Sequence, residues 1–135
     1  MVLFKNTDIT IYNKYYDIAF DIYKYQRTVI RDVNWQGKRN ATVTDKGLNR
    51  DDSILIFIDK IPGYISSKRF TRLTNEERTK YFTFGLNDII VKGVCDFDIK
   101  GIKPNSIADL ERNYDDVVNV IGVQEWSNHW EVECK

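Results

Sequence analysis

Hydrophobic and polar positions alternate with a period of two along the first part of the chain. Residues 8–16 read D-I-T-I-Y-N-K-Y-Y, so that Ile9 and Ile11 alternate with polar neighbours. In residues 22–33, one parity is shared by Tyr23, Tyr25, Arg27 and Val29. Successive side chains of a strand point to opposite faces, so a period of two predicts half-buried antiparallel strands. We therefore expect the chain to open with a β-hairpin.

Further strand patterns follow along the rest of the chain. Residues 53–59 are the most apolar and read as a central strand buried on both faces. Residues 45–52 are polar and rich in Gly and Asn, which predicts a turn. Further strands are predicted at 42–44, 81–84, 89–92, 94–99, 117–126 and 129–134.

About eight strands in 135 residues predict a single, mainly β domain. We expect a small β-barrel, a bent antiparallel sheet, with one short C-terminal helix that closes one end. That helix should span residues 107–114, with Ser106 as its N-cap and Asp109 completing a capping box. The predicted core consists of Ile9, Ile11, Val29, Ile54, Ile56, Ile58, Ile89, Val91, Phe97, Val118, Val120 and Trp130.

Residues 61–80 interrupt the strand pattern and predict a long internal loop. Ser66 and Thr74 are candidate N-caps for two short helical turns, the first over residues 68–72. The segment is basic and poor in large apolar residues, so we expect it to be loosely packed and sensitive to proteases. The candidate contacts to DNA or to a neighbouring subunit are Lys68, Arg69, Arg72, Arg78 and Lys80.

Charge is balanced overall but not along the chain. The formal net charge is zero, whereas residues 24–50 carry seven Lys and Arg against two Asp, and residues 104–135 carry two against seven Asp and Glu. Two solvated faces of opposite sign would account for this. Alternatively, copies packed side by side in a ring would bring an acidic end against a basic flank.

No residue pattern indicates catalysis, a metal or a cofactor. His129 is the only histidine, and the carboxylate doublets at 51–52, 96 and 98, and 115–116 match no metal-binding loop. Neither a phosphate-binding glycine loop nor zinc-ligand spacing is present. Cys95 and Cys134 are expected to be free thiols of a cytoplasmic protein, and no apolar run predicts a membrane span.

Nucleic-acid binding is the one chemistry that the residue types leave open. Aromatic residues, among them Tyr12, Tyr16 and Trp35, are interleaved with basic ones, as in OB-folds that stack bases and neutralise phosphates. Tyrosine is equally a common strand residue. The candidate basic and aromatic contact face contains Lys24, Arg27, Arg31, Lys38 and Arg39.

The order of the segments resembles small structural proteins of the head–tail region of tailed phages and prophages of Gram-positive bacteria. The resemblance spans nearly the whole chain and is closest to head-closure, stopper-like or connector proteins of the neck. It lies in D-I-T-I-Y-N-K at 8–14, R-T-V-I at 27–30, V-N-W at 33–35, D-K-G-L at 45–48, N-D-I-I-V-K-G at 87–93 and H-W-E-V at 129–132.

This resemblance implies a β-barrel with a long internal loop that assembles as a homo-oligomeric ring around the DNA channel, without enzymatic activity. It implies portal or adaptor and tail-terminator proteins as partners, packaged DNA in the channel, and a virion neck location after synthesis in the host cytoplasm. The alternatives are a tail-terminator ring protein and a monomeric OB-like nucleic-acid-binding phage protein. A hydrolase that uses the carboxylate doublets is a more remote one.

Overall fold

The computed structural model of the chain describes residues 4–38, 41–44, 47–50 and 53–135. In chain order its elements are β1 (Thr7–Asp17), β2 (Ile22–Lys38), β3 (Ala41–Thr44), β4 (Gly47–Arg50), β5 (Ser53–Asp59), α1 (Ser67–Arg72), α2 (Asn75–Arg78), β6 (Ile89–Lys92), α3 (Ile107–Asn113), β7 (Val117–Glu125) and β8 (His129–Cys134).

Six of the strands close a barrel in the order β1-β2-β5-β8-β7-β6, and every neighbouring pair is antiparallel. The mainly β barrel predicted from the sequence is therefore confirmed. Strands β3 and β4 pair only with each other, as a separate two-stranded sheet. The predicted turn at 45–52 is wrong where β4 lies, and residues 45, 46, 51 and 52 lie outside the described part of the chain.

The barrel interior is filled by one hydrophobic cluster centred on aromatic rings. The indole of Trp130 lies 4.8 Å from the ring of Tyr64 and 5.5 Å from that of Phe84, centroid to centroid. Of the twelve predicted core residues, eight are buried, whereas Val29, Ile54, Phe97 and Val118 are only half-buried. The buried eight are Ile9, Ile11, Ile56, Ile58, Ile89, Val91, Val120 and Trp130.

A second cluster lies outside the barrel wall, beneath α3. Ile9 and Ile11 of β1 face the interior cluster, whereas Tyr12 of the same strand packs with Leu110 of α3. Ile89 and Val91 of β6 belong to this outer cluster too. The helix therefore covers the outer face of β1 and β6, and our expectation that it closes one end of the barrel is wrong.

Two predicted strands form no ladder. Phe82 makes only an isolated bridge to Tyr64, and residues 94–99 run without a ladder partner. Residues 94–99 nevertheless alternate as the pattern requires, with Cys95 buried and Val94 exposed. A period of two arises wherever an extended chain buries one of its faces. Residues 94–99 bury one face against the outer cluster, so the period appears here without a neighbouring strand.

The predicted helix caps are confirmed. The hydroxyl of Ser66 accepts a hydrogen bond from the N–H of Arg69, and that of Thr74 accepts one from Glu77. Ser106 and Asp109 form the reciprocal capping box of α3. Each cap satisfies backbone N–H groups that the first helical turn leaves without a partner.

The segment at 61–80 packs more closely than expected. Phe70 of α1 is 1% exposed, and Arg78 of α2 is 3% exposed. Our expectation of a loosely packed loop is wrong, because the two capped helices point the side chains of Phe70 and Arg78 inward, and Ile65 is buried as well.

Both cysteines are free thiols, as predicted, and the structure buries both of them. Burial raises the pKa of the Cys134 thiol to about 12. Among the described residues, no helix is long and apolar enough to cross a membrane.

Candidate assembly surfaces

The β1–β2 hairpin reaches well beyond the barrel to which it belongs. Strand β1 pairs with β6 only over residues 9–12, and β2 pairs with β5 only over residues 34–38. Between these limits the two strands pair with each other, from Asn13 opposite Gln26 to Asp17 opposite Ile22. Within the described part of the chain, the outer part of the hairpin, residues 13–26, therefore has no third strand.

Side-chain hydrogen bonds fix the base of this outer part. Asn13 donates from Nδ2 to the carbonyl oxygen of Thr83 at 2.6 Å and to Oδ2 of Asp88 at 2.8 Å. On the partner strand, Gln26 donates from Nε2 to the carbonyl oxygens of Arg78 and Tyr81, at 2.9 and 2.7 Å. Since these bonds join the hairpin to the segment that runs from the end of α2 to the start of β6, the hairpin projects in a defined direction.

The end of the hairpin, residues 16–23, exposes large apolar side chains, and we call it the hairpin apex. Ile18 is 85% exposed, Phe20 68% and Tyr23 62%. Tyr16 and Ile22 are also exposed. The sequence analysis missed this surface, although apolar residues at positions 18, 20 and 22 stand where a hairpin turn is usually polar.

The apex is held in place by its own contacts. Asp17 accepts a hydrogen bond from the N–H of Ala19 at 3.0 Å and pairs with Nζ of Lys24 at 2.9 Å. That ion pair holds the pKa of Asp17 below its usual range. Nζ of Lys24 also lies 4.3 Å above the ring of Phe20, and Tyr16 packs edge-on against Tyr23. The exposed rings thus have a set orientation.

A groove with acidic walls lies across the barrel, on the outer face of β5, β8 and β7. It encloses about 300 Å³ and is lined by Leu55, Gly122, Val123, Gln124, Glu131 and Glu133, which we call the acidic groove. Exposed Ile121 and Trp126 lie on the same hairpin of β7 and β8. A Cβ atom on Gly122 would meet nothing within 4 Å, so this glycine leaves the groove open.

The five basic residues of the 61–80 segment do not form one set. Lys68, Arg69, Arg72 and Lys80 are exposed, as a contact to DNA or to another subunit requires. Arg78 is buried and donates to the carbonyl oxygens of Phe70 at 3.1 Å and Leu73 at 2.7 Å. It is therefore not an exposed contact, because four backbone and side-chain oxygens of its own segment surround its guanidinium.

The candidate basic and aromatic face is not one open surface either. Lys24 pairs with Asp17, Arg27 donates to the carbonyl oxygen of Cys95 at 3.0 Å, and Arg31 pairs with Asp8 at 3.3 Å. Lys38 ends β2, and Arg39 lies outside the described residues. Tyr12 and Trp35, 1% and 8% exposed, are not free to stack on bases.

No catalytic constellation is assembled in the described part of the chain. His129 stacks on Trp126 and lies 3.4 Å from Glu131, an arrangement that contains no nucleophile. Within the described ranges, no three His, Cys, Asp or Glu side chains are grouped so that they could hold a metal ion. Asp51 and Asp52 lie outside those ranges.

Asp88 is a buried carboxylate that the sequence did not reveal. It is 4% exposed, and burial raises its pKa above the usual range. Its oxygens accept hydrogen bonds from Nδ2 of Asn13 and from the N–H groups of Lys14 and Gly85, at 2.8, 3.1 and 2.9 Å. These contacts give Asp88 a structural role, because they join the hairpin to the turn before β6.

Comparison with known proteins identifies a family without assigning a function. No curated protein matches the chain, and no solved structure matches it. One family model, described as a family of unknown function (DUF6751), matches residues 4–135. Because that match covers almost the whole chain, this protein belongs to the DUF6751 family.

Proposed function

We propose that this protein is a structural protein of the head–tail neck of a tailed phage or prophage, a head-closure or connector protein that acts by ring assembly around the DNA channel and not by catalysis. The sequence resemblance to neck proteins suggests the role. The observation that carries it is the ordered apolar hairpin apex, which extends from a closed barrel into solvent.

An exposed apolar surface of this kind supports assembly. Contiguous apolar patches on soluble domains commonly mark interaction sites. Within the closed barrel every strand has two neighbours, so a partner there meets side chains. The outer hairpin at residues 13–26 has no third strand among the described residues, so it offers strand edges as well as side chains. The apex supplies such side chains at a fixed place, which favours a repeating contact over a chance association.

Assembly as a ring is compatible with a small interface between neighbouring subunits. Association costs several kcal/mol in lost translational and rotational freedom, so one modest interface holds two free subunits only weakly. A portal or adaptor ring would serve as a template that places the subunits side by side.

Location in the particle tests this function. We expect a specific antibody to label purified virions of the phage that encodes this chain at the junction of head and tail, as seen by electron microscopy. Deleting the gene should leave filled heads and tails unjoined, and the cloned gene should restore joining. An unlabelled virion, or normal joining after deletion, would show that the proposal is wrong.

The exposed basic residues of the 61–80 segment provide a further prediction. Replacing Lys68, Arg69, Arg72 and Lys80 together with Ser should change the free energy of unfolding little, because each exposed charge contributes about 0–1 kcal/mol. In phage assembly the same change should impair DNA retention or head–tail joining, because a ring multiplies each lost contact.

The measurements are chemical denaturation of the purified variant and phage yield in a complementation assay. Exposed Lys100 and Lys103, replaced with Ser, provide a control for loss of surface charge elsewhere. A normal yield from the quadruple variant would mean that these four charges contact neither DNA nor a neighbouring subunit.

A further inference from the structure

We propose that the hairpin apex of one copy docks into the acidic groove of the next copy, in a head-to-tail contact. The inference rests on the proposed ring function and names the two surfaces that would build the ring. It commits to a second copy of this chain because the two surfaces are complementary in shape and charge.

Shape matches first. The apex presents Ile18 and Phe20 as projections. The groove offers the apolar side chain of Leu55 and an opening at Gly122, in about 300 Å³. That volume lies at the lower end of the range for binding pockets, so it suits one or two side chains and not an extended segment.

Charge is complementary around the same surfaces. Lys14 and Lys68 line a cleft beside the apex together with Tyr16 and Tyr23, and Arg72 lines another with Ile18. The exposed acid of the apex itself is Asp21. The groove is walled by Glu131 and Glu133. A basic rim that meets an acidic one steers association and fixes the register of the contact.

The apex of a chain lies far from that chain's own groove. The groove strand nearest to the hairpin is β5, where Leu55 lies opposite Gln36 of β2. The apex begins thirteen residues farther along β2, at Tyr23, which corresponds to roughly 40 Å at about 3.3 Å per residue. The contact is thus between two different surfaces. Such heterologous contacts continue from copy to copy and close into a ring where the rotation allows.

The apex is also ready to bind. Its rings are already oriented by the Asp17–Lys24 ion pair, by Lys24 above Phe20 and by the Tyr16–Tyr23 contact. Ordering flexible side chains at an interface costs binding free energy, and a surface that is ordered in advance avoids part of that cost.

Cysteine cross-linking tests the contact. We expect the double variant Ile18→Cys, Gly122→Cys to form a ladder of disulfide-linked multimers under mild oxidation, both as concentrated protein and in particles. An equal mixture of the two single variants should stop at dimers, because each chain then carries one reactive end. Cys95 and Cys134 are buried and provide a low background. In the control, Val94→Cys replaces Ile18→Cys, because Val94 is 53% exposed and lies outside both surfaces.

A ladder no stronger than that of the Val94 control would overturn the contact. Labelling of the neck without a ladder in particles would leave the neck role standing and reject the apex and groove. A ladder in purified protein without any virion label would support the contact and reject the neck role.

A blocking variant checks the groove without a new cysteine. Gly122→Leu should fill the groove while the fold persists, since its Cβ meets no atom and its backbone is not in the left-handed region. Denaturation should show a folded protein, and self-association measured by sedimentation should weaken at least about tenfold, as for a central interface residue. Val94→Asp, at an exposed residue that lines neither the groove nor the clefts beside the apex, should leave self-association unchanged. Unaltered self-association of folded Gly122→Leu would also reject the proposal.

Discussion

Replacing Arg78 with Ala should lower the free energy of unfolding by about 3 kcal/mol, since the change removes a buried charged donor and leaves its acceptors without partners. The guanidinium donates to the carbonyl oxygens of Phe70, Thr71 and Leu73 and to Oδ1 of Asn75. It also lies 4.3 Å above the ring of Tyr15, a contact that joins the 61–80 segment to the hairpin.

Chemical denaturation of the purified variants measures this effect. Arg72→Ala is the matched control, because Arg72 is an exposed arginine of the adjacent helix, and its loss should cost less than about 0.5 kcal/mol. Arg78→Lys should recover only part of the stability, because an ammonium group lacks the planar fork that reaches several carbonyl oxygens. Equal, small losses from Arg78→Ala and Arg72→Ala would contradict the structural role of Arg78.

Limited proteolysis under native conditions gives a second measurement of the same change. In the unaltered protein, the buried Phe70 and Arg78 should protect the 61–80 segment from cleavage. In Arg78→Ala, cleavage within this segment should appear before the barrel is cut. Early cleavage of the unaltered protein at the same sites would contradict the packing described here.

The burial of Arg78 could not be read from the sequence. The segment at 61–80 shows five basic residues and two acids, a composition typical of a solvated surface. Arg78 alone among the five turns inward, because α1 ends at Arg72 and its last carbonyl groups meet the side chain of the next short helix. Which of several basic residues meets such carbonyls depends on the path of the chain, which local patterns do not specify.

The strands and caps, by contrast, could be predicted because their signals are local. The apolar run at residues 53–59 and the closing strand at 129–134 require only the residues of each strand, and the cap at Ser106 requires only its own turn. The extended residues 94–99 and the placement of α3 depend on the outer cluster around Tyr12 and Leu110. That cluster joins residues about 100 positions apart, so no local window contains it.

The candidate surfaces divide in the same way. The acidic and basic blocks are visible in the sequence, whereas the groove depends on β5, β8 and β7 lying side by side. The apolar residues at positions 18, 20 and 22 of the apex are visible in the sequence. Their exposure to solvent is not, because it depends on the hairpin extending beyond the barrel.

Replacing Asp88 with Ala should lower the free energy of unfolding by about 3 kcal/mol, because it leaves three N–H donors without an acceptor in a buried site. The donors belong to Asn13, Lys14 and Gly85, so the change also loosens the base of the hairpin. The close fit of this site is evident at Gly85, where an added Cβ would lie 2.8 Å from Oδ2 of Asp88. Asp115→Ala, at an exposed acid, is the matched control and should change stability by less than about 0.5 kcal/mol.

The pH dependence of the stability lost in Asp88→Ala shows whether burial or hydrogen bonding has the larger effect on the Asp88 carboxylate. Burial disfavours the charged carboxylate and the three donors favour it, and burial has the larger effect, so the pKa is raised. The folded protein then holds the proton more tightly than the unfolded chain, whose Asp pKa is about 3.9. The stability that Asp88 contributes is therefore greatest at low pH and falls as the pH rises through the folded pKa. The difference in unfolding free energy between the unaltered protein and Asp88→Ala should grow as the pH is lowered from 7 towards 4. If that difference shrinks instead, hydrogen bonding to the carboxylate outweighs its burial.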